Sequence, residues 1–409
     1  MKRNVIVGQS GGPTAVINSS LAGVYKTAKD GGFDKVYGML HGVQGLLDEQ
    51  YIDLSKCIKN ELDVELLKRT PSAFLGSCRF KMPEIHEGQE IYERVFEILN
   101  KLEIDSFIYI GGNDSMDTIK KLSDYAVLTG QSQKFIGVPK TIDNDLAVTD
   151  HTPGFGSAAK YIGTSVKEII RDSLGLSYNK DNVTIIEIMG RNAGWLTGAA
   201  VLSQGEDCDG PDLIYLPEID FDVTKFIEKI RQLLKKKHSV IVAVSEGIKL
   251  ADGRYVCELS AGSDYTDAFG HKQLSGTSAY LANLVASETG CKARGIEFST
   301  LQRSASHLAS RVDIDEAFMV GGAAVKAADG GESGKMVILD RVSDDPYQCT
   351  TGMYDVHKIA NDEKLVPRNW ITKDGAYVTE QFIEYIRPLI QGDYQPIMVD
   401  GIPRHLVCK

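Results

Sequence analysis

Between residues 139 and 145 the chain reads Pro139-Lys140-Thr141-Ile142-Asp143-Asn144-Asp145. A cation, a hydroxyl, an amide and two carboxylates thus fall close together, directly after the apolar run Phe135 to Val138. Phosphoryl transfer needs this mixture. A carboxylate takes the proton from an attacking hydroxyl, and cations neutralise the charge that spreads over the transferred group. The competing reading is an Asp-rich loop that caps a helix.

Two glycine turns accompany this phrase. Gly11 and Gly12 follow the apolar run Arg3 to Val7, and Gly111-Gly112-Asn113-Asp114-Ser115 follows Phe107 to Ile110. Glycine lets backbone N–H groups approach a phosphate with no Cβ in the way. Either turn alone is also compatible with a tight structural turn. Neither is a Walker A loop or a full GxGxxG fingerprint. Arg79, in Leu75-Gly76-Ser77-Cys78-Arg79-Phe80, offers a guanidinium fork for phosphate oxygens, although a lone arginine also suits a surface salt bridge.

These phrases need rigid elements behind them. The pattern strand, glycine turn, helix occurs at residue 3 and again at residue 107. Beyond residue 150, periodicity predicts helices over Ala158 to Ser173, Ala193 to Leu202, Val223 to Lys236 and Asp315 to Ala328, and strands over Val183 to Ile188 and Ser239 to Val244. Such alternation indicates mostly parallel sheets with helices on both faces, whose ligands bind outside the carboxyl ends of the strands. Leu250 to Gly276 reads as an inserted hairpin or loop. From about Pro346 the chain reads as irregular until a helix near Thr379 to Ile390.

At 409 residues the chain is long enough for two domains, and 43% hydrophobic residues suffice for two cores. A net charge of −11 argues against a nucleic-acid or acidic-membrane surface over the whole molecule. No apolar stretch is long enough for a signal peptide or a membrane span. The seven cysteines are widely spaced, with no CxxC pair, and are expected to be reduced thiols in a cytoplasmic protein. The eight histidines show no zinc-site spacing.

Seven phrases in order carry a resemblance: SGG at Ser10, LGSCRF at Leu75, GGNDS at Gly111, PKTIDND at Pro139, MGR at Met189, SEG at Ser245 and LQR at Leu301. From about Asn4 to Arg303 the sequence resembles the 6-phosphofructokinase family. The resemblance implies an α/β fold of two Rossmann-like doubly wound domains with the active site in the cleft between them. It implies a phosphoryl-donor domain over 1–154 plus about 302–352 and a sugar-phosphate domain over 155–301. The insertion near 250–276 falls in the second, and a C-terminal extension spans 353–409.

The resemblance also implies roles. Gly11, Gly12, Gly112 and Arg79 would line the donor site. Asp143 would deprotonate the 1-hydroxyl of fructose 6-phosphate, with Thr141 and Ile142 beside it. Met189, Gly190 and Glu246 would bind the sugar, and Arg191 would stabilise the transferred phosphoryl. Arg294, Thr300 and Arg303 would hold the 6-phosphate, and Mg2+ would accompany the donor. The donor itself turns on two positions. ATP-using members carry glycine where Asp114 and Lys140 stand here, whereas pyrophosphate-using members carry this Asp and Lys. A carboxylate at Asp114 would repel the α-phosphate of ATP, and the Lys140 ammonium would replace some of the lost charge neutralisation.

Three positions depart from the family. Asn113 stands where a magnesium-binding aspartate is usual, leaving a neutral amide as the protein's metal ligand. Asn182 replaces an arginine, and Thr300 replaces a histidine or tyrosine. Two arginines of the family's nucleotide effector site fall at Ala22 and Lys26, which implies a non-allosteric enzyme. The expected activity is reversible, pyrophosphate-dependent phosphorylation of fructose 6-phosphate by a homodimer, with a homotetramer also compatible. The alternatives are an ATP-dependent member, a non-catalytic regulatory subunit and, more distantly, a lipid or NAD kinase.

Overall fold

In a computed structural model, residues 3–259, 274–359 and 363–408 are described. The apolar runs become strands β1 (Asn4–Gln9), β2 (Lys35–Met39), β3 (Tyr51–Asp53), β4 (Ile104–Gly111) and β5 (Lys134–Pro139). After them come β6 (Asn182–Ile188), β7 (Leu213–Tyr215), β8 (Ser239–Ser245), β9 (Lys292–Glu297), β10 (Lys335–Asp344) and β11 (Tyr347–Asp355). They build a seven-stranded sheet, β11-β10-β5-β4-β1-β2-β3, and a four-stranded sheet, β7-β8-β6-β9. Within these two sheets only the β2–β3 and β10–β11 ladders are antiparallel. Parallel strands covered on both faces must be apolar at successive positions. Accordingly, β1 and β8 are buried at every residue.

Helices Ile17–Asp30 and Arg311–Asp329 cover one face of the large sheet, and Gln89–Lys101 and Asn113–Thr129 cover the other. The first pair approaches closely at Gly23, where a Cβ would lie 2.0 Å from the carbonyl oxygen of Phe318. On the small sheet, Phe155–Gly175 packs on one face, and Val223–Leu234 and Thr277–Thr289 on the other. The chain is therefore an α/β protein with two doubly wound, Rossmann-like layers.

Two features differ from the reading of the sequence. The stretch around Pro346, expected to be irregular, is the hairpin β10–β11, paired from Lys335↔Asp355 to Asp344↔Tyr347. Its outer half alternates exposed and half-buried residues, so it lacks the apolar run that marks the inner strands. The expectation of seven reduced thiols fails at Cys57 and Cys408, which form a disulfide across 351 residues of sequence. Spacing along the chain carries no information about so distant a pairing. Of the insertion expected near 250–276, the Lys249↔Tyr255 bridge closes a turn, and residues 260–273 lie outside the described residues.

The segment after Asp355 packs against both layers. Helix Glu380–Ile386 buries Phe382 and Ile386 in the core around Trp195, with the Trp195 and Phe382 rings stacked 5.8 Å apart. Leu406 reaches the core on the large sheet.

Candidate active site

A cleft of about 340 Å³ opens where the carboxyl ends of the two sheets face each other. From the large sheet it is lined by Gly11, Gly12, Pro13, Arg79, Asp114 and the run Lys140 to Asp143 with Asp145. Met189, Arg191, Asn192, Ala193 and Glu246 line it from the small sheet, and Arg303 and Glu363 complete it.

The glycine turn after β1 is held by the segment that carries Arg79. Ser77 Oγ donates to the Gly11 carbonyl at 2.6 Å, and the Gly11 N–H donates to the Cys78 carbonyl at 3.3 Å. Gly11 has φ +75°, a left-handed conformation that glycine adopts without strain, and a Cβ there would sit 3.2 Å from Lys140 Nζ. The Lys140 ammonium donates to the Gly12 carbonyl at 2.7 Å, which directs the cation onto this turn. Arg303 joins it from the helical turn Leu301–Ser304, since a Cβ on Gly12 would lie 3.2 Å from its Nη1. Asp114 stands exposed in the first turn of helix Asn113–Thr129.

Asp143 follows β5 and lies at the cleft floor. Its N–H donates to Thr141 Oγ1 at 3.1 Å, and the Thr141 hydroxyl also lies 3.5 Å from its carboxylate. The turn after β6 is latched to the end of β8. Ser245 Oγ donates to the Gly190 carbonyl at 2.5 Å, and the Gly190 N–H approaches Glu246 Oε1 at 3.5 Å. Gln302 Oε1 accepts from the Met189 N–H at 3.3 Å. Glu363 comes from the C-terminal segment, and its Oε1 accepts from Asn192 Nδ2 at 2.8 Å.

The electrostatics of the cleft suit proton transfer. Burial and the neighbouring Asp145 push the Asp143 carboxyl up to about 7, against the opposing pull of Lys140. Burial holds the Lys140 ammonium down to about 8, although Asp143 and Asp145 resist this. The Glu246 carboxyl rises to about 8 through burial and the charge of Asp143. Burial and the Arg79 charge lower Arg303, leaving a guanidinium whose charge is incompletely compensated. A base near neutrality beside crowded cations is the arrangement in which proton removal and charge neutralisation act together.

Most residues singled out in the sequence meet here. Gly112 and Asn113 open the helix that carries Asp114, and Gly190 follows Met189 in the turn after β6; none of these three lines the cleft. Arg294 is exposed on the edge strand β9, and Thr300 is exposed just beyond it, so both lie outside the lining formed by one chain. Sequence reasoning assigned no role to Asp145, Asn192 or Glu363. A second carboxylate two residues after Asp143 was a legible signal for Asp145, and nothing in the local sequence marks Glu363. Among the described residues, one group of three His, Cys, Asp or Glu side chains brings its ligating atoms within 4.8 Å of one another: His151, Glu316 and Cys349. It lies outside the cleft lining, and the His151 ring is already bonded to Asp150 and Glu316.

A family model described as Phosphofructokinase matches residues 4–324. The chain is 42% identical over 409 residues to a protein of Xanthomonas campestris pv. campestris named pyrophosphate–fructose 6-phosphate 1-phosphotransferase, covering 99% of this chain and 96% of that one. It is 40% identical over 405 residues to the protein of the same name from Halomonas elongata, covering 98% and 95%. A crystal structure described as pyrophosphate-dependent phosphofructokinase from Nitrosospira multiformis superposes with a TM-score of 0.88 at 38% identity, covering 98% of this chain and 95% of that one.

Proposed function

The chain belongs to the phosphofructokinase family, and on that premise we propose that it transfers a phosphoryl group reversibly from pyrophosphate to the 1-hydroxyl of D-fructose 6-phosphate, giving fructose 1,6-bisphosphate and phosphate. The observation that carries this reading is one cleft holding Asp114 and Lys140 at the glycine turns and Asp143 between those turns and Glu246.

Pyrophosphate lies against Gly11 and Gly12, with Lys140 and Arg79 neutralising its oxygens; Arg303, expected at the 6-phosphate, stands beside Gly12 and is reassigned to the donor. Asp143 takes the proton of the 1-hydroxyl as that oxygen attacks the near phosphorus and the bridging P–O bond breaks. Arg191 and Lys140 stabilise the charge on the transferred group. Thr141 orients Asp143, and Ile142 packs beneath the sugar. Met189 and Glu246 hold the sugar hydroxyls, and Gly190, expected among these contacts, serves from outside the lining, where its N–H faces Glu246 Oε1.

A divalent cation fits the lining, because the titratable groups that offer it lone pairs are the hard carboxylate oxygens of Asp114, Asp143, Asp145, Glu246 and Glu363. We assign it as Mg2+, which Asp145 would hold together with phosphate oxygens; Asn113, the ligand expected from the sequence, lies outside the lining. When bound, it supplies charge neutralisation of the donor.

Arg294 and Thr300 serve the 6-phosphate only if β9 of one chain faces the cleft of another, which favours a homodimer. Ala22 is fully buried and Lys26 is paired with Asp30 at 2.7 Å, so neither offers an effector phosphate a free charge, in keeping with a non-allosteric enzyme. Among the described residues no helix is long and apolar enough to cross a membrane. We place the enzyme in the cytoplasm, where its membrane-impermeant charged substrates are made.

The test is a donor assay with pyrophosphate and ATP at equal concentration, on wild type and Asp114→Gly. Wild type is expected to use pyrophosphate, and the variant to gain ATP turnover by about tenfold or more, the worth of removing one close like-charge contact. Preference of the wild type for ATP would refute the donor assignment.

A further inference from the structure

The turn that carries Asp143 is supported from behind by a part of the chain outside the family match, which ends at residue 324. Tyr385, on helix Glu380–Ile386, directs its hydroxyl at this turn. The hydroxyl donates to the Asp150 carbonyl at 2.5 Å. It accepts from Asn144 Nδ2 at 3.0 Å and from Lys364 Nζ at 3.1 Å. A phenol has one proton and two lone pairs, so its whole hydrogen-bonding capacity is engaged. Burial raises the phenol far above its usual range, which keeps the donor proton in place.

The ring is fixed as firmly as the hydroxyl. The rings of Trp195 and Trp370 lie 5.2 and 5.4 Å from it, and the Arg341 guanidinium sits 4.7 Å over its face. Tyr385 therefore presents its oxygen at a defined point.

Asn144 stands between Asp143 and Asp145. It is fully buried and has φ +55°, the left-handed region that asparagine tolerates better than most residues. Its Oδ1 meets no protein donor among the described residues, so the Tyr385 hydroxyl is what holds its side chain. The same C-terminal segment grips the neighbouring backbone. The Lys364 N–H donates to the Asp145 carbonyl at 2.8 Å, and Glu363 bridges Leu146. The left-handed turn at Asn144 sets where the flanking carboxylates lie, because rotating its backbone would swing Asp143 relative to Asp145.

We infer that Tyr385 is a positioning residue for phosphoryl transfer: its hydroxyl locks Asn144 in the left-handed turn that aims Asp143 at the acceptor hydroxyl. The inference rests on the reading of Asp143 as the base. Asp143 makes the transfer possible, and Tyr385 acts only through the turn.

The test uses the full-length enzyme with Mg2+, pyrophosphate and fructose 6-phosphate, with rates normalised to folded protein. Tyr385→Phe keeps the ring and removes one oxygen. The expected result is a kcat lower by about 10- to 100-fold, as for a reacting group displaced by about 1 Å, with both KM values within about twofold of wild type. Asn144→Gly is expected to lower kcat similarly, and Tyr385→Phe in that background to add no further loss, since both act through one contact. A purely structural role would instead give additive losses that track melting temperature. Should Tyr385→Phe not fold, Lys364→Met removes another partner of the same hydroxyl and enters the same cycle. Asp143→Asn is measured in parallel. If it is inactive while Tyr385→Phe keeps kcat within about twofold, or changes only KM, the positioning inference falls and the base assignment stands. If Asp143→Asn keeps near-normal turnover, the base assignment itself falls.

Discussion

The two sides of the cleft are built from the same kind of layer but are not equally complete. On the large-sheet side, Gly11, Gly12, Arg79, Asp114 and Lys140 all face one space, and Lys140 is anchored on the Gly12 carbonyl. On the small-sheet side, Met189, Arg191 and Glu246 reach the same space, but Arg294 and Thr300 do not. The difference follows from the position of the strands. The glycine turns and Lys140 follow β1, β4 and β5, which are interior to a seven-stranded sheet, so their turns converge. β9 is the edge of a four-stranded sheet, and its exposed residues face outward. One chain thus assembles the glycine-turn side of the cleft, whereas Arg294 and Thr300 of the same chain stand outside it.

Three measurements would break or sharpen this contrast. The largest effect is expected at the floor shared by both sides. Asp143→Asn should lower kcat by about 10²- to 10⁴-fold while sparing sugar binding, as judged by single-turnover assays alongside calorimetric titration of fructose 6-phosphate. Near-normal turnover would mean that another group takes the proton.

The next effect addresses the incomplete side directly. Arg294→Ala should raise KM for fructose 6-phosphate by about 10- to 100-fold, the worth of one charge-assisted contact to a phosphate, and leave KM for pyrophosphate nearly unchanged. Light scattering on the same samples should find a dimer. A monomer with full activity would show that one chain grips the 6-phosphate by itself.

The smallest effect is in the pH profile of kcat/KM. As the proposed base, Asp143 would have to be deprotonated to act, and burial pushes its carboxyl up to about 7, so activity should fall roughly tenfold per unit as pH drops below about 7. Lys140 must be protonated to neutralise phosphate, and it lies near 8, so activity should also fall as pH rises through about 8. A flat profile between pH 5 and 7 would remove Asp143 from the rate.

Much of the site could be read from the sequence because its parts are local. Pro139 to Asp145 puts carboxylates, cation and hydroxyl on one turn, and the alternating apolar runs imply parallel layers whose strand ends carry such turns. The strands that escaped that reading are short or half-exposed. β3 and β7 have three residues each, β2 has five, β9 buries none of its six, and β10–β11 alternate where they leave the core.

What the sequence determined, then, is the chemistry of each turn and the class of layer that displays it, because residue type and short spacing decide both. Tertiary structure alone decided which distant residues meet those turns. Glu363 enters the cleft, Tyr385 holds Asn144, Cys57 pairs with Cys408, and Arg294 stays outside. Each of these depends on how the chain returns across the layers after hundreds of residues, and no local pattern of side chains encodes that path.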